Sequence, residues 1–180
     1  FTMSDPPNVA HALACGGLLD VMYLLQSGRV DLGFIGGAEI DRFGNLNTHW
    51  VEDNGKRTRL PGSGGAADIA VMAKRCIVIM NHERRRFVDK VRYVTSPGHG
   101  DGGDWRQRNG LTGGGPSRVI TSLGIFSFDQ ETHEMVLASY HPGISTEQIS
   151  NETGWPMKTS SQIRETTAPS RDELAAVRKY

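Results

Sequence analysis

The chain has 180 residues, 37% of them hydrophobic, and its 20 basic and 20 acidic residues give a formal net charge of zero. This length accommodates one domain with a sizeable core. The neutral balance lacks the positive charge of a duplex-DNA-binding protein, and no apolar stretch is long enough to cross a bilayer. We therefore expect one domain over residues 1–180, located in the cytoplasm and bound neither to nucleic acid nor to a membrane.

Helical and strand patterns alternate along the first half of the chain. Residues 16–28 predict a helix that ends on a glycine suited to a C-terminal cap. Its apolar stripe consists of Leu18, Leu19, Met22 and Leu25. The next apolar run, 30–38, ends in paired glycines and predicts a buried parallel strand. A turn and an extended segment separate it from a helix predicted over 66–74 and a second buried strand over 75–81. This order indicates an open, mostly parallel α/β sheet with covering helices.

The second half of the chain is richer in predicted β structure. Two β-rich runs, 117–129 and 134–143, are joined by a short polar segment and predict a β-hairpin. Ser145 and Ser170 each stand three positions before a glutamine or glutamate, which is the pattern of a capped helix start. Residues 95–117, between the two halves, are too rich in glycine and polar residues for the interior of an element. They indicate a functional loop or a partner surface.

Three glycines, Gly62, Gly64 and Gly65, stand directly before the helix predicted over 66–74. Glycine permits positive φ angles and lets the backbone approach a ligand closely. Free N–H groups at a helix N-terminus favour an anion or a developing oxyanion. A tight turn explains the same composition equally well. The pattern matches neither a triphosphate-binding loop nor a dinucleotide-binding fingerprint.

Two groups of charged residues have both a functional and a structural interpretation. Glu39 and Asp41 alternate along an extended segment, so their side chains point to the same face. An acid–base pair is one interpretation, and solvated or turn-capping carboxylates are the favoured one. Residues 84–86, all arginine, follow the second buried strand. Arginine pairs well with phosphate, but a solvated basic corner is the favoured interpretation.

Histidine and cysteine patterns do not predict a metal site. No metal-ligand spacing occurs among His82, His99, His133 and His141. Cys15 and Cys76 have apolar neighbours in sequence and predict buried free thiols in a reducing compartment. The sequence also lacks the Gly-x-Ser-x-Gly motif of α/β-hydrolases.

Several stretches, taken together and in chain order, carry a family resemblance. They are VDLGFIGGAEIDRFGNLNT, RLPGSGGAADIA, RRFVDKVRYVTSPGHGDG, PSRVITSLGIFSFD, SYHPGIS and ETGWP. With matching spacing over essentially the whole chain, they resemble the β subunit of family I CoA-transferases, in the branch that contains the B subunits of glutaconate and 3-oxoadipate CoA-transferases. The resemblance implies an open α/β sheet of the NagB/RpiA type. It also implies an active site where an A-type and a B-type subunit meet.

The resemblance assigns roles to two glycine segments. The backbone amides of Gly64 and Gly65 are implied to stabilise an oxyanion beside the nucleophile. The residues implied to bind CoA are Gly36, Gly37, Ala38, Gly62, Gly64, Gly65 and Ala66. Removing one oxyanion donor is expected to cost about 3 kcal/mol of transition-state stabilisation.

Members of this family use a glutamate carboxylate as nucleophile and pass through an anhydride and an enzyme–CoA thioester. The family's Glu-Ser/Asn-Gly block lies upstream of the segment that matches Phe1 and does not occur in this sequence. Glu39 is not its equivalent, because Glu39 belongs to the later strand-end motif. We therefore expect the chain to be incomplete at both ends, to lack the nucleophile, and to be inactive by itself.

The expected activity is transfer of CoA between an acyl-CoA and a small dicarboxylic acid, by a hetero-oligomer of this B-type chain with an A subunit. Coenzyme A is then a substrate, and we expect neither a permanently bound cofactor nor a metal. Two alternatives remain: a hydrolase or lyase of the same fold that opens a ring or removes a carboxyl group, and a non-catalytic partner subunit.

Overall fold

The structure is a computed structural model that describes residues 9–53 and 55–178. The helices in this part of the chain are α1 (Leu18–Gln26), α2 (Ala66–Met72), α3 (Trp105–Arg108), α4 (Thr146–Asn151) and α5 (Arg171–Arg178). The strands are β1 (Gly33–Ile35), β2 (Glu39–Ile40), β3 (Leu46–Asn47), β4 (Trp50–Asp53), β5 (Lys56–Arg59), β6 (Cys76–Met80), β7 (Pro116–Thr121), β8 (Gly124–Phe128), β9 (Met135–Tyr140) and β10 (Lys158–Glu165). None of the described helices combines the length and apolar character that a membrane crossing requires.

Six strands form one sheet in the order β1-β6-β7-β8-β9-β10. Strands β1, β6 and β7 are parallel, β10 is parallel to β9, and β8 is antiparallel to both of its neighbours. Strand pairs β2–β3 and β4–β5 form two small antiparallel sheets. The predicted open, mostly parallel α/β sheet is confirmed. The hairpin predicted in the second half is also confirmed, by β8 and β9.

Helix α2 packs closely on β1 because Gly33 has no side chain. A Cβ atom at Gly33 would lie only 2.2 Å from Cγ2 of Ile69 on the helix. Strand β6 directs Cys76, Val78 and Met80 into the core. The largest fully buried side chains of the core include Phe87, Phe126, Ile40, Leu46, Met135, Leu137 and Ile149. This packing holds the start of α2 and the end of β1 on one scaffold.

Both predicted helix caps in the second half are confirmed. The Ser145 hydroxyl accepts a hydrogen bond from the Gln148 N–H at 3.0 Å. At the start of α5, the Ser170 hydroxyl accepts from the Glu173 N–H at 3.2 Å, and the Glu173 carboxylate accepts from the Ser170 N–H at 2.7 Å. Each cap satisfies backbone donors that a helix leaves free at its first turn.

The run at 117–129 forms two strands, not one. Strand β7 ends at Thr121, whose hydroxyl oxygen accepts hydrogen bonds from the N–H groups of Leu123 and Gly124. These bonds turn the chain into β8. A Cβ atom at Gly124 would lie 2.5 Å from the Ser139 carbonyl oxygen, so the residue after the turn must be small. Serine and leucine at the turn itself are weak turn signals, so the break was missed.

Two further elements were missed. Strand β10 was not predicted because most of its residues are exposed and polar, so no apolar alternation marks it. It is held by parallel pairing with β9. The short helix α3 lies inside the segment 95–117, which was expected to contain no regular element.

Two burial predictions are wrong. Leu18 and Leu19 of the α1 stripe are 71% and 83% exposed, and only Leu25 of that helix is buried. The reason is that α1 meets the rest of the described chain mainly at α2. Cys15 is an exposed free thiol, whereas Cys76 is free and buried as predicted.

Two histidines are buried, and the ring of one of them, His99, lies 4.6 Å from that of His133. The His82 ring stacks on Phe87 and lies 3.1 Å from the Thr153 hydroxyl, and His99 Nε2 lies 2.9 Å from the Pro116 carbonyl oxygen. Burial lowers the pKa of each imidazole from 6.5 to about 4. The unfolded chain therefore binds more protons than the folded chain between these two pH values, so stability falls as the pH drops through this window.

We expect each buried histidine to cost about 3 kcal/mol of folding free energy by pH 4. The measurement is the free energy of unfolding of the complete protein at pH 7 and at pH 4.5, with His82→Gln for comparison. The variant should be less stable at pH 7 but lose less stability on acidification. An unchanged loss would show that His82 does not titrate in this window.

Candidate functional site

The two glycine segments predicted to bind a ligand are connected through one short stretch of backbone. The Ala38 N–H donates to the Asn47 carbonyl oxygen at 3.0 Å, and the Gly62 N–H donates to the Thr48 carbonyl oxygen at 3.0 Å. Asn47 and Thr48 are consecutive residues. The end of β1 and the loop before α2 therefore flank the same segment, and the fold brings the predicted residues 36–38 and 62–66 into one region.

The glycines after β1 are closely packed. A Cβ atom at Gly36 would lie 3.1 Å from the Ile79 carbonyl oxygen of β6, and one at Gly37 would lie 3.0 Å from the Leu46 side chain. Such distances are tighter than ordinary van der Waals contact. The structure thus supplies a packing reason for both glycines, and their ligand-binding role stays a prediction.

The loop before α2 has a different character, because two of its glycines face open space. Gly62 and Gly64 have φ angles of +97° and +50°, and a Cβ atom at either position would meet no heavy atom within 4 Å. The Gly62 and Ala66 N–H groups are used within the chain, the latter by the Ser63 carbonyl at 3.0 Å. Among the described residues, no acceptor is hydrogen-bonded to the N–H of Gly64 or Gly65. The loop therefore presents two adjacent backbone donors, with open space beside Gly64 and the Met22 side chain near Gly65.

Glu39 and Asp41 serve the fold and do not form an acid–base pair. The Glu39 carboxylate accepts from the Asn47 amide at 2.7 Å. The Asp41 carboxylate accepts from the Asn45 amide at 3.0 Å and from the Phe43 N–H at 3.0 Å. The turn-capping interpretation is confirmed for Asp41, whereas Glu39 binds its cross-strand neighbour, and both carboxylates are buried and not solvated. Burial raises the pKa of Asp41, while the hydrogen bonds from Asn45 and the backbone oppose that shift.

The arginine triplet forms a corner of the fold, as favoured from the sequence. Arg84 donates to the carbonyl oxygen of Thr153, whereas Arg85 and Arg86 form ion pairs with Glu83 at 2.6 and 3.2 Å. These partners occupy the arginines without a ligand. In the described ranges, no cluster of three or more histidine, cysteine, aspartate or glutamate side chains has the arrangement of a metal site.

Arg106, in the long loop, contacts α2 in a way that the sequence did not reveal. The residue is 8% exposed, and its guanidinium donates to the carbonyl oxygens of Gly98 at 2.7 Å, Gly113 at 2.9 Å and Ala70 at 2.9 Å. Ala70 lies in α2, at the opposite end of that helix from the glycine loop. The segment 95–117 therefore holds α2 through Arg106. The glycines around Arg106 were the only local sequence signal that the backbone of this loop packs closely against α2.

Two clefts of the described chain lie outside the glycine segments. A cleft of about 440 Å³ is lined by Asp41, Phe43, Val91, Val94 and Trp105 among others, and by no residue of either glycine segment. A smaller cleft of about 350 Å³ is lined by His49, Trp50, Arg57 and Arg59, on the hairpin that leads into the glycine loop.

Comparison with known proteins identifies the family. The family model described as Coenzyme A transferase matches residues 2–152. The B subunit of 3-oxoadipate CoA-transferase from Pseudomonas knackmussii is 46% identical over 157 residues, 87% of this chain and 60% of the relative. The B subunit of glutaconate CoA-transferase from Acidaminococcus fermentans is 42% identical over 159 residues, 87% of this chain and 59% of the relative. The crystal structure of that organism's glutaconate CoA-transferase matches with a TM-score of 0.79 and 39% identity, over 92% of this chain and 66% of the other.

A more distant relative is named for a different activity. The cholesterol ring-cleaving hydrolase IpdB subunit of Mycobacterium tuberculosis is 27% identical over 149 residues, 80% of this chain and 57% of the relative. The chain spans about three fifths of the length of the curated relatives it matches. The resemblance inferred from the glycine-rich motifs is confirmed: the chain belongs to the coenzyme A transferase family.

Proposed function

We propose that this chain is part of the B subunit of an enzyme that transfers CoA between an acyl-CoA and a small dicarboxylic acid. Two relatives above 40% identity are named as B subunits of CoA-transferases, for 3-oxoadipate and for glutaconate. Both acids carry two carboxyl groups. The partner is an A subunit of the same family, and CoA is a substrate, with no permanently bound cofactor. The cytoplasmic location stays a prediction.

The observation that carries the proposal is the pair of free backbone donors in the loop before α2. The Gly64 and Gly65 amides bind the thioester oxygen as it becomes an oxyanion. Gly64 has a left-handed backbone, and a Cβ atom there would meet no heavy atom within 4 Å, which leaves room for that group. Preorganised donors of this kind supply a large part of catalysis in acyl transfer. The amides of Ala38, Gly62 and Ala66 already have intrachain partners, so these residues do not act as donors to the ligand. The backbone surface along the CoA arm is formed by Gly36, Gly37, Ala38, Gly62 and Ala66.

The reaction proceeds through a glutamate that lies outside this chain. Its carboxylate attacks the thioester carbonyl, which expels CoA thiolate and leaves a mixed anhydride. The thiolate then attacks the glutamyl carbonyl, so that the donor acid departs and an enzyme–CoA thioester remains. The acceptor acid reverses these steps. Glu39 does not take this role, because its carboxylate is buried and held by Asn47.

The test is an exchange assay with the complete B subunit and its A subunit. The complex is incubated with an acyl-CoA and either glutaconate or 3-oxoadipate, and the acyl-CoA pool and free thiol are measured over time. Transfer predicts a new acyl-CoA that forms without net release of thiol. Release of free CoA in step with loss of the donor would favour a hydrolase, and no turnover with any acid would favour a non-catalytic subunit.

A further inference from the structure

The face of the β4–β5 hairpin has the composition of a nucleotide-binding surface. Trp50 pairs with Arg59 across the hairpin, and Glu52 pairs with Arg57, so these four side chains lie on one face. The Arg57 guanidinium lies 4.0 Å from the centre of the Trp50 ring. We call His49, Trp50, Arg57 and Arg59, which line the cleft of about 350 Å³, the hairpin patch.

The hairpin patch carries uncompensated positive charge. The acidic residue on this face, Glu52, is paired with Arg92 at 3.0 Å. Among the described residues, no carboxylate lies within ion-pair distance of Arg57 or Arg59, and both arginines are exposed. An arginine stacked on an aromatic ring keeps the N–H donors at the edge of its guanidinium for a phosphate. The face is therefore complementary to an anionic, aromatic ligand.

The position of the patch relates it to the glycine loop. The Leu60 N–H donates to the His49 carbonyl oxygen at 2.9 Å, and the Gly62 N–H donates to the Thr48 carbonyl oxygen at 3.0 Å. These bonds fix the path of the chain from the hairpin into the loop. Arg59 and Gly64 are five residues apart, at most about 18 Å of extended chain. One ligand that spans up to this distance, with a phosphate-bearing aromatic end, can therefore reach both places.

We propose that the hairpin patch binds the 3′-phospho-ADP end of coenzyme A, an inference that rests on the proposed function. Arg57 and Arg59 bind the phosphates, and the adenine packs beside the stacked Trp50–Arg57 pair. The pantetheine arm then runs toward the Gly64 and Gly65 amides. Arginine is suited to phosphate because its planar fork matches the oxygens in pairs, and aromatic faces stack on any base.

The first experiment measures binding without depending on catalysis. Adenosine 3′,5′-bisphosphate is titrated calorimetrically into the complete A–B complex, in wild type and in Arg57→Ala/Arg59→Ala. Loss of two charge-assisted contacts should weaken binding roughly 10- to 100-fold. Arg85→Ala is the matched control, because Arg85 is also exposed but pairs with Glu83, and it should bind the probe as wild type does.

The second experiment compares acyl-CoA with the corresponding acyl-pantetheine, which lacks the nucleotide. In the double variant, KM for acyl-CoA should rise by the factor by which probe binding weakens, while kcat for acyl-CoA stays unchanged. The value of kcat/KM for acyl-pantetheine should also stay unchanged. Equal binding of the probe by wild type and the double variant overturns the inference. Absence of probe binding by wild type also overturns it, and this is the result expected if the patch instead binds an acidic segment of a protein. Intact probe binding without any transfer would overturn the proposed function alone.

Discussion

Gly64→Val in the complete A–B complex is expected to lower kcat/KM for CoA transfer about 100-fold or more. Gly64 has a φ of +50°, a left-handed conformation that costs an L-residue roughly 1–2 kcal/mol and suits a β-branched residue least. No heavy atom lies within 4 Å of a Cβ at this position, so the fold accommodates the side chain. The valine instead occupies the space beside the amide donors, and losing one such donor costs about 3 kcal/mol at the transition state.

Gly143→Val separates backbone strain from the loss of function at the loop. Gly143 has a φ of +80° and also meets nothing within 4 Å of a Cβ, but it lies between β9 and α4, away from the glycine segments. Its variant should be strained to a similar degree and transfer CoA at the wild-type rate. Wild-type turnover by Gly64→Val, or an equal loss of activity in Gly143→Val, would overturn the role of the Gly64 amide.

Arg106→Met is expected to destabilise the protein by about 3–5 kcal/mol, because it leaves buried carbonyl oxygens without a donor. The guanidinium satisfies the carbonyls of Gly98, Gly113 and Ala70. Methionine fills similar volume without any donor. For a chain of this length, the thermal midpoint should fall by roughly 10 °C.

Arg108→Ala is the control for Arg106, since both residues lie on α3. Arg108 is exposed and pairs with Asp104 at 2.7 Å at the surface, so its loss should leave the thermal midpoint essentially unchanged. The measurement is thermal unfolding of the complete complex, wild type and both variants. A small effect of Arg106→Met, comparable to that of Arg108→Ala, would show that the long loop does not hold α2.

The elements that local pattern specifies could be predicted from the sequence. Strand β6 is a continuous run of apolar and β-branched residues, and α2 directly follows the glycine loop, so both were placed within a few residues. Strand β10 could not be predicted in this way, because pairing with β9 supplies its backbone partners whatever its side chains are. The burial of α1 also depends on which elements pack against it, and the apolar periodicity of the helix does not show which elements these are.

Part of the candidate site could likewise be predicted from the sequence, and part could not. The glycines at 62, 64 and 65 attract attention in the sequence, but their composition alone fits either a turn or a ligand loop. Only the backbone path distinguishes the engaged amide of Gly62 from the free amides of Gly64 and Gly65. Arg106 and the pair Trp50–Arg57 were missed because their partners are set by tertiary packing or by strand register. No spacing rule connects an arginine to carbonyl oxygens 36 residues away in the chain.

Trapping of the covalent intermediate distinguishes CoA transfer through a glutamate from other chemistry on this fold. The complete A–B complex is incubated with an acyl-CoA, treated with borohydride, digested and analysed by mass spectrometry. Hydride reduces a glutamyl-CoA thioester to a primary alcohol and releases CoA, so one glutamate in the complete B subunit, outside this chain, should become the alcohol only when acyl-CoA is present. The same treatment without modification of any glutamate, in a complex that still consumes acyl-CoA, would contradict the account and assign this fold to other chemistry.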